Sequence, residues 1–259
     1  MLRRLSLAVT FLTAVRLPLD GVAAPADLWA SMGWYPLVGA CLGATAWGAY
    51  ALLLYVVTPL VAAALVVVAL ELSTRALHLD GLMDTADGFF SGASRERALE
   101  IMKDSRAGAM GVFAAIAVIV VKVSALAALA RPDAAVALVG GLAAARVLPA
   151  LDVRFFRYAR AGGTGAAFAL GASARESVAP VVAAAALGAA AALVAGALGH
   201  GGALGAFLGL DLAVAVVALT LAAQSLVARR LGGLTGDVYG MGIELAEALV
   251  FVGAVVIAR

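Results

Sequence analysis

One cysteine, Cys41, stands among 259 residues, so the chain has no disulfide framework and no cysteine-based zinc site. It lies among apolar neighbours and reads as a small core residue. Two histidines, His78 and His200, are too few for a haem or histidine-rich metal protein. Charge is equally scarce, at 13% of residues against about 25% in a soluble domain. An apolar content of 64% excludes both an ordinary water-soluble enzyme and a disordered chain. The net charge is only +2, with no basic run or aromatic-interleaved patch, so nucleic acid is excluded as a partner. What remains is an all-α, polytopic integral membrane protein, a single membrane-embedded domain over residues 1–259, whose first partner is the lipid bilayer.

A spanning helix needs about 20 mainly apolar residues. Seven stretches qualify: Met32–Val57, Leu60–Leu77, Gly108–Ala130, Ala134–Leu151, Val178–Leu198, Ala203–Val227 and Met241–Ala258. The second and fourth are short. Thr58-Pro59, Arg131-Pro132-Asp133 and Gly199–Gly202 are tight turns, and proline at the first stops one helix and starts the next. The remaining connections, 78–107, 152–177 and 228–240, are long. Residues 1–31, 73–107, 152–177 and 228–240 together hold 14 basic residues, whereas the opposite face holds only Arg131 and Arg259. Excess Lys and Arg marks the cytoplasmic side, so the long loops face the cytoplasm. The opening MLRRLSLAVTFLTAVRLPL places Arg3-Arg4 before an apolar stretch, as signal peptides do, but Arg16 interrupts it. An interfacial or re-entrant helix fits better.

The densest charge lies in residues 71–111, where Asp80, Asp84 and Asp87 fall at i, i+4 and i+7. At 100° per residue they share a stripe about 60° wide. Each such acid at membrane depth costs about 3 kcal/mol, and three together repel. A hard cation resolves the conflict: Mg²⁺ takes oxygen ligands and shares its other positions with water and phosphate. Flanking Leu79, Leu82, Met83, Phe89 and Phe90 favour a cavity lining over a solvated acidic face. Glu71 joins the cluster only if the helix breaks, at Gly81 or at Ser73-Thr74. His78 is a candidate base or a satisfied polar residue; spacing alone leaves both open.

Ser94 is placed to cap a short helix from Arg95 to Lys103, with Glu96 in its first turn. Lys103-Asp104-Ser105-Arg106 before Gly108 combines cations, an acid and a close-approach glycine, which suits phosphate plus metal. Arg154, Arg157, Tyr158 and Arg160 precede Gly162-Gly163-Thr164-Gly165, a turn able to present backbone N–H groups to phosphate. The third loop carries Asp237 and runs into a helix with Glu244 and Glu247. Asp211 and Lys122 are a buried pair or cavity residues. Acids and cations interleaved on one face are what transfer of a phosphate-linked group demands.

HLDGLMDTADG (78–88), MKDSR (102–106), YARAGGTGAAF (158–168), LGGLTGDVYG with Glu244, and FLT…RLPL (11–19) closely resemble the signature segments of the cobalamin 5′-phosphate synthase family. The matching segments run from end to end of the chain. One departure is Arg75-Ala76, where the family pattern leads one to expect glycines. The resemblance implies a bacterial or archaeal inner-membrane enzyme, multi-pass, with its active site facing the cytoplasm. Its substrates would be adenosylcobinamide-GDP and α-ribazole or its 5′-phosphate, its cofactor Mg²⁺ and its released product GMP. On that reading the catalytic candidates are Asp84, His78 and Asp104. The substrate-binding candidates are Lys103, Arg106, Arg157, Arg160, Gly163 and Asp237, and the metal candidates Asp80, Asp84, Asp87 and Glu71. A homo-oligomer is left open. Two rivals are weaker: a CDP-alcohol phosphotransferase wants Ala-Arg where Leu82-Met83-Asp84-Thr85 stands, and an ion-coupled transporter puts its acids at the midplane and repeats its halves.

Overall fold

The computed structural model describes residues 1–19, 21, 23–160, 162, 164–169, 179–180, 183 and 202–258. These residues are overwhelmingly helical and form no strand; one isolated bridge joins Tyr158 and Leu234. Helix α1 (Leu2–Leu12) buries Leu7, Ala8 and Leu12 and leaves Met1 and Leu2 exposed, the arrangement expected of an interfacial helix. Helix α2 (Pro25–Ser31) leads through a 3₁₀ turn (Met32–Trp34) into α3 (Tyr35–Leu53). Helices α4 (Pro59–Ser73), α5 (Leu77–Phe90), α6 (Arg95–Ile101) and α7 (Ala109–Ala128) follow. The next span is interrupted: α8 (Arg131–Ala135), a π-helical turn (Val136–Gly140), α9 (Gly141–Ala145) and α10 (Leu148–Phe155). After α11 (Thr164–Ala169) come α12 (Gly202–Leu231) and α13 (Gly236–Ile257).

Among the described residues, five stretches are long and apolar enough to cross a bilayer: Pro25–Leu53, Ala109–Ala128, Arg131–Phe155, Asp211–Leu231 and Gly236–Ile257. The stretch expected at Leu60–Leu77 ends early. At 15 residues α4 is about 22 Å long, short of a hydrocarbon core about 30 Å thick, and α5 leaves it at 88°. Counting that bent pair as one crossing gives six spans, against the seven expected; the stretch Val178–Leu198 lies outside the described residues.

Proline at N1 or N2 starts α2, α3, α4, α8 and α10, where its missing N–H removes no helical bond. Small residues set the packing. Gly39 and Gly43, one turn apart on α3, lie against the Leu142 and Leu138 carbonyls with no room for a Cβ. Tyr50 Oη donates to the Leu126 carbonyl at 3.0 Å, satisfying a buried hydroxyl between α3 and α7. The segment from α8 to α10 forms the centre, while α7 turns Phe113, Ile116 and Val120 outward to lipid.

Candidate active site

Two left-handed residues position the acidic helix. Arg75 (φ 57°) and Ala76 (φ 51°) make the sharp turn between α4 and α5. They are the positions where glycine was expected, and left-handed backbone is what only glycine adopts without strain. Beyond the turn α5 lies against α13 and α7. A Cβ at Gly81 would come 2.5 Å from the Asp237 carbonyl oxygen, so glycine here lets the acid stripe pass directly beside the start of α13. Asp80 is exposed, and Asp84 and Asp87 are partly buried. The like charges of Asp237, Asp80 and Asp87 act on Asp84, with Arg160 as the countercharge.

Asp87 has a second task. Its Oδ2 accepts the Gly108 N–H at 2.7 Å and its Oδ1 the Gly111 N–H at 2.8 Å. These are unpaired donors at the start of α7, so Asp87 caps that helix from a neighbouring one and meets the positive end of its dipole. The glycines are needed because a Cβ at either position would collide with the carboxylate.

The three long-loop segments do converge. Backbone bonds of 2.8 Å from Leu234 N–H to the Arg157 carbonyl and from Ala159 N–H to the Leu234 carbonyl join the second loop to the third. Arg95 donates to the Leu231 carbonyl at 2.7 Å and to the Ala159 carbonyl at 3.3 Å, joining the first loop to both. Arg230 reaches the Ala93 carbonyl and lies over the Phe89 ring. This framework delivers Arg160 to Asp237, with Nη1 2.9 Å from Oδ2. Arg160 Nε and Nη2 are buried with no protein partner, two unused donors beside the acid stripe.

Other candidates are placed differently. Arg157 is exposed and serves through its backbone. Ser94 caps α6 as expected, accepting from Arg97 N–H at 3.4 Å. Lys103, Asp104 and Arg106 are all exposed. Arg106 binds Asp104 through Nε (3.0 Å) and Nη2 (2.7 Å), and these bonds, with the Arg106 backbone N–H, hold the Asp104 carboxyl down at about 2. Asp104 is thus an anion at neutral pH, paired with Arg106. Gly163 lies outside the described residues.

His78 and Glu71 do not join the stripe. His78 is about 160° round the helix from Asp80, 3% exposed, and its charged neighbours are Arg146, Glu247 and Lys122. The structure places His78 under α13, away from the acids: a Cβ at Gly240 would touch the His78 backbone at 3.2 Å. The helix breaks next to Glu71 as anticipated, but the side chain turns inward to Lys122 Nζ at 3.2 Å. Lys122 also meets Glu244 (2.5 Å) and Glu247 (2.6 Å), and Arg146 donates to Glu247. Among the described residues, Glu71, Glu244 and Glu247 are the one acidic trio whose ligand atoms lie within 4.8 Å of one another, and an ammonium sits on them. Asp211, offered as a partner for Lys122, is exposed on α12. Sequence spacing could not reveal this network, whose bonded partners are 51 to 125 residues apart. Asp152, fully buried and bonded to Gln224 Nε2 at 2.8 Å, escaped notice for the same reason.

The chain is similar to known proteins along almost its whole length. The family described as Cobalamin-5-phosphate synthase matches residues 4–255. A protein of Brevibacillus brevis named adenosylcobinamide-GDP ribazoletransferase is 38% identical over 248 residues, 94% of each chain. One of the same name from Desulfitobacterium hafniense is 38% identical over 98% of this chain and 96% of its own. A third, from Klebsiella pneumoniae, reaches 41% over 83% of each. No solved structure matches the chain.

Proposed function

The chain belongs to the cobalamin-5-phosphate synthase family, and we propose that it is the adenosylcobinamide-GDP ribazoletransferase of a bacterial or archaeal inner membrane, working on the cytoplasmic side. It moves the cobinamide-phosphate group of adenosylcobinamide-GDP onto the ribose hydroxyl of α-ribazole or its 5′-phosphate. The hydroxyl oxygen forms a bond to the phosphorus that carries the cobinamide arm. The bond from that phosphorus to the GMP oxygen breaks, and GMP leaves.

The observation that carries this reading is the meeting of Asp80, Asp84 and Asp237 with Arg160, whose two spare donors are buried beside them. The donor set suits Mg²⁺: hard carboxylate oxygens, partly exposed, crowded by like charge and balanced by one arginine. Asp80, Asp84 and Asp87 would hold the ion, Asp87 with the lone pairs left over from capping α7. When bound, Mg²⁺ neutralises the diphosphate and makes the phosphorus easier to attack. Arg160 donates Nε–H and Nη2–H to a phosphate oxygen, a charge-assisted contact whose direction its bond to Asp237 fixes. Asp84 is the one catalytic candidate that stands on the acidic face without a committed partner, so it receives the hydroxyl proton. The Arg95 and Arg230 bonds hold the three loops together so that this geometry exists before substrate arrives. The test is GMP release by the purified protein with Mg²⁺ and both substrates. No GMP above the rate with either substrate omitted would overturn the assignment.

A further inference from the structure

Beneath the acidic face the spanning helices bury charges that the transfer chemistry does not use. Glu71 comes from α4, Lys122 from α7, Arg146 from the joint between α9 and α10, and Glu244 and Glu247 from α13. Lys122, Arg146, Glu244 and Glu247 are each at most 4% exposed. Lys122 Nζ serves all three carboxylates, and Glu247 gives its second oxygen to Arg146 Nη1, while Arg146 Nε is buried without a partner. The charges do not balance. Three carboxylates face two cations, leaving one uncompensated negative charge among groups buried between helices, where a lone buried charge is strongly disfavoured.

A metal ion is poorly suited to closing the gap, because the point where the three carboxylates converge is filled by the Lys122 ammonium. The remaining neighbour is His78 on α5, buried and with Nε2 lacking any partner, whose charged surroundings are this same network. Lys122 and Arg146 beside it oppose a third cation on the imidazole. Glu247 spends both oxygens on cations, whereas Glu71 and Glu244 each give Lys122 one.

We propose that this network is a buried proton-binding site: one proton, held on the Glu71 or Glu244 carboxyl, brings three carboxylates, one ammonium and one guanidinium to neutrality. The site is independent of the transferase reading and of any metal on the acid stripe. It ties α4, α7, α9 and α13 together without leaving a net charge in the bilayer.

The experiment is infrared spectroscopy of the full chain in lipid at neutral pH, reading the carbonyl stretch of protonated carboxylic acids and its shift in D₂O. Asp152→Asn is the background, since the buried Asp152 is a second source of such a band. Against it the wild-type network should contribute one carboxylic acid. Glu244→Gln or Glu71→Gln should each abolish that band, because two carboxylates against two cations need no proton. Lys122→Met should double it. Where Lys122→Met does not fold, the two glutamine variants suffice. A spectrum unchanged by both glutamine variants overturns the proposal, and so does loss of the wild-type band on adding sodium at constant pH, which would make a metal ion the balancing charge.

Discussion

Replacing Gly81 by alanine tests whether the close approach of α5 to α13 sets the active geometry. The added Cβ would stand 2.5 Å from the Asp237 carbonyl oxygen, 3.1 Å from its Cα and 3.2 Å from its carbonyl carbon. All three atoms are backbone and cannot rotate away. Ordinary contact begins at about 3.4 Å, so the helices must separate by about 1 Å. That shift carries Asp80 and Asp84 away from Asp237 and Arg160, and misplacement of about 1 Å at a reacting centre costs about 100-fold. Stability should suffer less: overpacking costs about 1–3 kcal/mol, offset by about 1 kcal/mol because alanine favours a helix interior over glycine. The assay is GMP release by purified Gly81→Ala, alongside its melting temperature in detergent. Gly48→Ala is the control, since nothing lies within 4 Å of a Cβ there; it should leave turnover unchanged. A folded Gly81→Ala protein with turnover within a few-fold of wild type would refute the argument that this contact places the acids.

Asp84→Asn keeps shape but removes charge, so it should insert and purify normally while turnover falls about 100-fold, roughly 2.7 kcal/mol, with partial rescue by extra Mg²⁺; near-normal turnover at limiting Mg²⁺ would remove Asp84 from the metal site. Arg160→Ala should lower kcat/KM for the GDP-activated substrate about 10- to 100-fold through two lost charge-assisted bonds, whereas Arg157→Ala should change it less than about 3-fold. Equal effects would contradict the placement of the two side chains. Tags inserted at Ser94 and Gly233 should be reached by a label from the same side and one at Asp133 from the opposite side; a shared side for all three would break the topology. Ala76→Gly should raise the melting temperature, since relief of about 1–2 kcal/mol of left-handed strain exceeds the added chain entropy of about 0.4–1 kcal/mol.

Much of the fold is legible in local pattern. Prolines at helix starts and the Ser94 cap are short-range signals that mark elements that form, and so are most of the apolar runs among the described residues, the run 60–77 breaking after Ser73. The acid stripe is legible for the same reason, because three residues within eight share a helical face whatever surrounds them. What a stripe cannot say is which neighbour each side chain meets. Asp87 reads as a ligand alone, and its second task, accepting the α7 amides of Gly108 and Gly111, shows only in the fold. His78 lies two residues from Asp80, yet α13 packs on its face and separates it from the acids. Glu71 belongs with Lys122 because two helices 51 residues apart are neighbours in space. Arg157 and Arg160 look equivalent in a basic loop, and only the pairing of Tyr158 with Leu234 turns one outward and the other to Asp237.

The strained turn explains why the acids sit where they do. A straight continuation of α4 would run the Asp80–Asp87 stripe along the bilayer normal, with successive carboxylates at different depths and different costs. An 88° bend lays the stripe crosswise to α4, so the three acids leave the line of the inserted helix together. The bend needs two left-handed residues in succession, and this chain makes it with arginine and alanine. Arg75 recovers part of the strain by donating to the Thr10 and Phe11 carbonyls at 3.3 Å, which also fastens α1 over the turn. On the inner side Glu71, four residues before Arg75, is anchored to Lys122, so the short helix cannot slide to relax the bend. The turn is therefore held from both ends, by a surface arginine and by a buried ion pair. The acidic helix between that turn and the Asp87 cap on α7 has little freedom to move before substrate binds.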